Sequence, residues 1–317
     1  MPVYEGEAFL AEALDSLIGQ TFADFELIVS DNASTDATQD ICRDYAARDP
    51  RIRYVRQERN IGAVPNFNRV FELSDSVYFK WAAHDDLCDP TYLEKAVALL
   101  DARPDVVWCH SRSSHIDARG ELLDEAEALD VSYAAREAPM AAERFSAVLM
   151  DDQGCLDSYG LIRSQALRRT PLYLSCYGAE KVVMAELALM GPYAEIPETL
   201  FFARVSAQGS GNLRDADEQQ TFIDPSVRES GKVRLRLLRG YLDAIRRSAP
   251  TPAQAARARL GLVRWMLQPG KWARLVRAAL LGRGVGGRNV ERVERMEERP
   301  ADRVGGESER PHGSVAR

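Results

Sequence analysis

Tyr78-Phe79-Lys80-Trp81-Ala82-Ala83-His84-Asp85-Asp86 is the stretch on which the reading of this chain turns. Val77, Tyr78, Phe79 and Trp81 are β-branched or aromatic, the side chains that suit a pleated, buried strand. The stretch then ends in two adjacent carboxylates. Asp89 and Pro90 follow as an N-cap and a first-turn proline for a helix over 92–100. The spacing predicts a strand, an acidic pair and a helix. The acids fall at the carboxyl end of the strand, where open α/β sheets bind ligands. Adjacent carboxylates repel, and burial adds to the cost. A hard divalent cation bridging to phosphate oxygens would relieve it. An isolated Asp-Asp is more often a solvated turn, so the neighbouring segments decide.

Those segments alternate between helix and strand at short intervals. Phe9, Leu10, Ala13, Leu14, Leu17 and Ile18 recur at helical spacing, and a strand over 25–30 ends at Asp31-Asn32-Ala33-Ser34-Thr35-Asp36. Asp36 is placed to cap a helix over 37–47. A short strand over 52–55, the turn Asn60-Ile61-Gly62 and a helix over 67–73 lead back to the opening stretch. Beyond it the pattern predicts a strand over 106–110, a turn at Asp117 to Glu121, a helix over 141–150 and a strand over 159–162. An amphipathic helix over 182–190 and a strand over 200–205 complete this part. Such alternation argues for an α/β fold whose mostly parallel sheet is covered by helices. The Gly-rich, polar stretch 207–217 is a candidate lid. Helices are expected over 232–247, 253–268 and 271–281, followed by a tail with few apolar residues that is expected to be disordered.

The chain has 317 residues, 45% of them apolar, enough for a full core. Its five cysteines (Cys42, Cys88, Cys109, Cys155, Cys176) form no C-x-x-C pair, which points away from a zinc or disulfide framework and towards a reducing, cytoplasmic setting. No apolar run approaches the roughly 18–20 residues of a membrane span, and no signal-peptide pattern is seen. The net charge of -7 is uneven: from Arg228 onward there are about 21 basic against about 9 acidic residues. The strongly acidic remainder makes nucleic acid a poor partner.

Four motifs in order carry a resemblance: Pro2-Val3-Tyr4, then Val29 to Asp36, then Arg59-Asn60-Ile61-Gly62, then His84-Asp85-Asp86. Together they resemble the inverting family 2 glycosyltransferases of GT-A fold, continuously to about residue 100 and more loosely to about 206. The resemblance implies a GT-A catalytic domain, set at 1–212, and the residue pattern beyond it adds a helical region over 213–282 and a disordered tail over 283–317. It implies that Pro2, Val3 and Tyr4 line the base and ribose of a nucleotide and that Asp31 accepts a hydrogen bond from the base. Asn60 and Gly62 match the loop that approaches the nucleotide, and Gly62 lets the backbone come close. Asp85 is implied to contact the ribose and Asp86 to ligate a divalent metal, Mn2+ or Mg2+. His84 is given no ligand role. Glu180, at the start of a helix, matches the general base, which must be ionised and within reach of the acceptor hydroxyl. Its bland alternative is a favourable interaction with the helix N-terminus. Asp157 and Asp152 are the fallback carboxylates.

The implied activity is transfer of a sugar from a nucleotide-diphosphate donor to a sugar or lipid-linked acceptor hydroxyl with inversion, in cell-surface polysaccharide or glycolipid synthesis. The alternatives are a non-catalytic sugar-nucleotide binder or scaffold, or a nucleotidyltransferase, although no basic Gly-rich phosphate loop occurs early in the chain. Two departures from the family pattern stand out. Arg204-Val205-Ser206 lacks the histidine of the family's Arg-x-His, leaving Arg204 to neutralise phosphate. The apolar strand that should precede Pro2 is missing, so the natural start is expected upstream. Trp272, Leu275, Val276, Ala279 and Leu280 fall on one helix face flanked by Lys271, Arg274 and Arg277. This pattern suits peripheral contact with an anionic inner membrane face, or equally packing on the catalytic domain.

Overall fold

The computed structural model describes residues 1–123, 133–151, 155–205, 216–227 and 233–268. Asp152, Ser206, most of the Gly-rich stretch 207–217, the helix expected over 271–281 and the tail over 283–317 lie outside the described residues. Pro2–Val3 (β1), Leu27–Asp31 (β2) and Ile52–Arg56 (β3) form a parallel sheet in the order β1-β2-β3. All five residues of β2 are buried, as expected of a strand covered on both faces. Leu10–Ile18 (α1) and Thr38–Arg48 (α2) are its crossovers. The helical repeat in α1 points Leu10, Ala13, Leu14 and Leu17 into the core. The N-cap of α2 is Ala37, not Asp36 as expected; Asp36 sits one residue earlier and its Oδ1 accepts from Thr38 N at 3.0 Å, an Asx turn leading into the helix. The β1 register sets Pro2 against Ser30 and Val3 against Asp31, at the edge of this sheet.

Ala63–Glu72 (α3) then leads to the second sheet. Its strands are Tyr78–Phe79 (β4), Leu87–Cys88 (β5), Trp108–Ile116 (β6), Leu161–Arg163 (β7) and Tyr193–Arg204 (β8), in the order β4-β7-β6-β8-β5. Only β6 and β8 pair in parallel; the other three pairings are antiparallel. The fold is therefore α/β with a parallel first sheet and a mixed second one. β5 was not foreseen: the chain turns back at Asp85-Asp86, and Leu87 and Cys88 run antiparallel against Phe202 and Phe201. β6 and β8 are longer than their patterns suggest. Buried polar residues (His110, Ser111, Ser113, His115) interrupt the apolar run of β6. Pro197 interrupts β8, where the pairing slips from Ser111↔Ile196 to Arg112↔Thr199. A proline has no N–H for the ladder, so a bulge there is the natural outcome.

Tyr92–Ala102 (α4) packs on β6, β7 and β8 of the second sheet and shares one core with α1 and the first sheet, while Ala141–Met150 (α5), Ser164–Leu167 (α6) and Ala179–Met190 (α7) belong to a second core. Nine residues of α7 are buried, which makes it the central helix of that core. After Ala216–Ile223 (α8), Val233–Ser248 (α9) and Pro252–Met266 (α10) bring Tyr241, Ile245, Ala258, Leu262 and Trp265 into the same core as α5 and α7. No helix among the described residues is long and apolar enough to cross a membrane.

Candidate active site

The motifs meet at the carboxyl ends of β1 and β2. The backbone N–H of Asn32 donates to Val3 O at 2.8 Å. Residues 4–7 are laced to the loop after β2: Glu5 N donates to Ser34 Oγ at 3.0 Å, Gly6 N to Thr38 Oγ1 at 2.8 Å and Glu7 N to Asp36 Oδ2 at 3.0 Å. Pro2 and Val3 are buried and reach a ligand only through their backbone, whereas Tyr4 is 38% exposed. On the other side, a Cβ on Gly6 would lie 2.6 Å from Val3 Cγ2 and 3.0 Å from His84 Cδ2. The His84 ring thus packs on this loop and brings the acidic pair against it, a role that does not need a metal.

Asn60 and Gly62 are held from the tip of β2. Asn32 Nδ2 donates to Asn60 Oδ1 (2.9 Å) and to Gly62 O (3.2 Å), and Asn32 Oδ1 accepts from Ile61 N at 2.9 Å. Gly62 has φ +93°, and a Cβ there would meet Ile223 O and Pro225 Cδ, each at 2.7 Å. Only glycine fits both the dihedral and the approach of the 223–225 backbone. That conformation also starts α3 at Ala63, four residues before the apolar pattern shows it. Asp31 is fully buried, and both its oxygens are occupied: Oδ1 by Ser34 N at 2.8 Å, Oδ2 by Tyr54 OH at 2.8 Å and by Arg56. A base could be read by this carboxylate only where Arg56, whose side chain is 32% exposed, swings aside.

Asp85 and Asp86 form the turn between β4 and β5, and Arg204 holds that turn. Its backbone N–H donates to Asp86 Oδ1 at 2.9 Å and its Nε to Asp85 O at 2.8 Å. The rest of the guanidinium reaches Asp117 O (3.0 Å) and Glu12 Oε2 (2.6 Å) and lies 4.6 Å from the centroid of the Phe9 ring. The Arg204 side chain is fully buried, so in this arrangement its contacts are with the protein and it acts as a brace for the acidic turn. Burial, and then the neighbouring Asp85 charge, push Asp86 up to about 8. Lys80, which the sequence reading passed over, is the nearby counter-charge. Its ammonium feels Asp86, donates to Trp81 O at 3.2 Å and lies 5.0 Å and 5.2 Å from the centroids of the Tyr92 and Phe201 rings. Burial lowers its pKa. A lysine inside an otherwise apolar strand was the available signal.

Glu180 sits in the first turn of α7, after Gly178 in the left-handed region (φ 80°). Burial raises its pKa, which strengthens it as a base. Tyr159, stacked on Phe201, has its hydroxyl pushed well above the ordinary value by burial first and then by the charges of Asp86, Asp85 and Glu180. The fallback Asp157 is unsuited to a base role, because it is fully buried and paired with Arg136, which also binds Asp151 at 2.6 Å.

No group of three or more His, Cys, Asp or Glu among the described residues could enclose a metal ion. What the turn offers is an open set of hard carboxylate oxygens. Among the described residues only Oδ1 of Asp86 has a hydrogen-bond partner, and the raised pKa of this carboxyl would be relieved by a cation. Such a donor set fits Mg2+ or Mn2+ completed by phosphate oxygens and water.

This chain belongs to glycosyl transferase family 2, whose family model matches residues 1–166. It is 30% identical over 122 residues to an uncharacterized glycosyltransferase of Methanocaldococcus jannaschii, covering 38% of this chain and 42% of that one. It is 35% identical over 102 residues to the putative glycosyltransferase EpsE of Bacillus subtilis, covering 32% and 37%. The match thus spans less than half the length of these curated relatives. Among solved structures, S. aureus TarS 1-349 in complex with UDP-GlcNAc superposes with a TM-score of 0.58 at 16% identity, covering 80% of this chain and 67% of that one. The mannosyltransferase PcManGT of Pyrobaculum calidifontis, in complex with GDP-Man and Mn2+, gives 0.51 at 17% identity, covering 89% and 85%. These likenesses establish the GT-A fold.

Proposed function

We propose that this glycosyltransferase moves a sugar from a nucleoside-diphosphate donor to an acceptor hydroxyl, with inversion and with a divalent cation. The observation that carries the reading is the convergence of residues 4–7, the 60–62 loop and the 84–86 turn on one end of β1 and β2. The donor-bound structures of the two fold relatives support a nucleotide sugar as donor, and Mn2+ in one of them supports the cation.

In this reading the loop around Tyr4, with Pro2, Val3 and Asp31, holds the base and ribose. Asn60 and Gly62 bring the backbone up to the nucleotide, and Asp85 meets the ribose. Asp86 would hold the cation, which supplies neutralisation of the charge growing on the departing diphosphate. Arg204 fixes Asp86 through its backbone N–H. Glu180 takes the acceptor proton as the new bond forms, and attack from the face opposite the leaving group inverts the anomeric centre. The cytoplasmic setting, the synthesis of surface polysaccharide or glycolipid and the division at 212 and 282 belong to the same proposal. So does peripheral membrane contact through the C-terminal helices. For that contact, α10 and its C-cap offer exposed Leu260, Val263 and Leu267 beside Arg259 and Arg264.

The test is a panel of nucleotide sugars with released nucleoside diphosphate as the readout, with and without Mn2+. Metal-dependent release by the wild type, lost in Asp86→Ala, supports the assignment. Pyrophosphate as the product would favour a nucleotidyltransferase, and donor binding without turnover across many acceptors a non-catalytic binder.

A further inference from the structure

A cavity of about 420 Å³ opens beside the candidate site, between α9 and the segment that leads into α7. Its floor is Pro171, Leu174, Val227 and Gly240, and Arg236, Arg239 and Arg247 stand around it. Of the charged groups, Arg247 is spent on a bidentate pair with the buried Glu186 (2.7 Å for both bonds). Asp243, the carboxylate that lines the cavity, pairs with Arg246 at 3.2 Å. Arg236 gives one bond to the Ser175 carbonyl at 3.3 Å and has no carboxylate partner among the described residues. Arg239 is exposed and has none either. Two guanidinium groups thus stand over an apolar floor, neither in an ion pair among the described residues, with Asp243 the one carboxylate lining the same cavity. Planar forks of this kind match phosphate oxygens.

The cavity is tied to both halves of the candidate site. Cys176 lines it, and the Cys176 thiol feels the charges of Arg236 and Glu180 alike. Leu237 of α9 faces Gly178, two residues before Glu180. On the other side, Ser175 Oγ donates to Asp224, in the segment whose backbone presses on Gly62. The cavity is thus lined by the segment that enters α7 ahead of Glu180 and by the helix packed on it.

We propose that this cavity is an acceptor subsite for a phosphate ester with an apolar chain. The phosphate meets Arg236 and Arg239, the chain lies on Pro171, Leu174 and Val227, and the accepting sugar points to Glu180. The acceptor role rests on the transferase reading above; the binding of the phosphate ester does not. The test is arginine footprinting with phenylglyoxal, read peptide by peptide by mass spectrometry. Inorganic phosphate and hexyl phosphate are the probes, compared with chloride at equal ionic strength. Both should protect Arg236 and Arg239 saturably while leaving the exposed Arg259 reactive, and hexyl phosphate should do so at a concentration at least tenfold lower. Equal potency of the two probes would remove the apolar chain from the proposal and leave free phosphate as the ligand. Protection that spreads evenly to Arg259, or no protection, overturns the site. Arg239→Gln, a surface change, should raise the phosphate concentration that protects Arg236 at least threefold; no change would also overturn it. The footprint needs neither donor nor turnover. Protection in a protein that transfers no sugar would therefore refute the function and leave the site standing.

Discussion

Replacing Asp86 by Asn should make the protein more stable while abolishing its proposed chemistry. The carboxyl is pushed from 3.8 to about 8, first by burial and then by Asp85. At about 1.4 kcal/mol per pH unit, the full shift corresponds to an upper bound on the order of 6 kcal/mol. Asp86 is only partly buried, and protein interiors respond with an effective dielectric near 20, so the expected gain is about 1–2 kcal/mol. The folded chain holds this proton more tightly than the unfolded one. Wild-type stability therefore falls as pH rises from about 4 to about 8, by linkage. An amide does not titrate, and its carbonyl can still accept from Arg204 N. The advantage of the variant should be absent near pH 4 and greatest above pH 8. Calorimetry in the presence of a chelator reads it as a rise of about 2–8 °C in Tm at pH 8.5, taking about 2–4 °C per kcal/mol. Added Mn2+ should raise Tm for the wild type only. A variant that is less stable at pH 8.5, or equally stabilised at pH 4 and pH 8.5, would refute the account of Asp86 as a strained, cation-seeking acid.

Glu180→Gln should leave donor affinity intact and remove transfer. In the wild type the acid limb of the rate profile should lie above the ordinary carboxylate range, because burial raises the Glu180 pKa and the base must be ionised; a limb near pH 4 would assign the base elsewhere. Gly62→Ala forces a Cβ into a positive-φ position against Ile223 O and Pro225 Cδ and should cost about 1–3 kcal/mol, read as a lower urea midpoint at constant m. Arg136→Met leaves the carboxylate of Asp157 buried without its partner, at a cost of about 3–5 kcal/mol. Adding Asp157→Asn should recover most of it, and additive losses in the double variant would show that the pair is not coupled.

The helices and the parallel first sheet were legible because their signals are local: apolar spacing in α1, α5 and α7, and turn residues at the strand ends. The acidic turn was legible for the same reason. What the sequence hid depends on partners distant in the chain. Arg204 could be read as a free phosphate ligand, yet its contacts come from Glu12, Asp85 and Asp117. Asp157 looked like a spare base until Arg136 was found on it. β5 has two residues and exists only because β8 lies beside it.

The brace on the acidic turn bears on where this protein can be divided. The family model ends at residue 166, which invites an excised fragment. Such a fragment would lack β8, the strand that pairs with β5 and carries the N–H bound to Asp86. Released from it, the two carboxylates could spring apart, and the piece would retain the family's signature while losing the rigidity that gives the signature its use. Any minimal version of this chain, or any chimera made by exchanging halves, therefore has to run through Arg204.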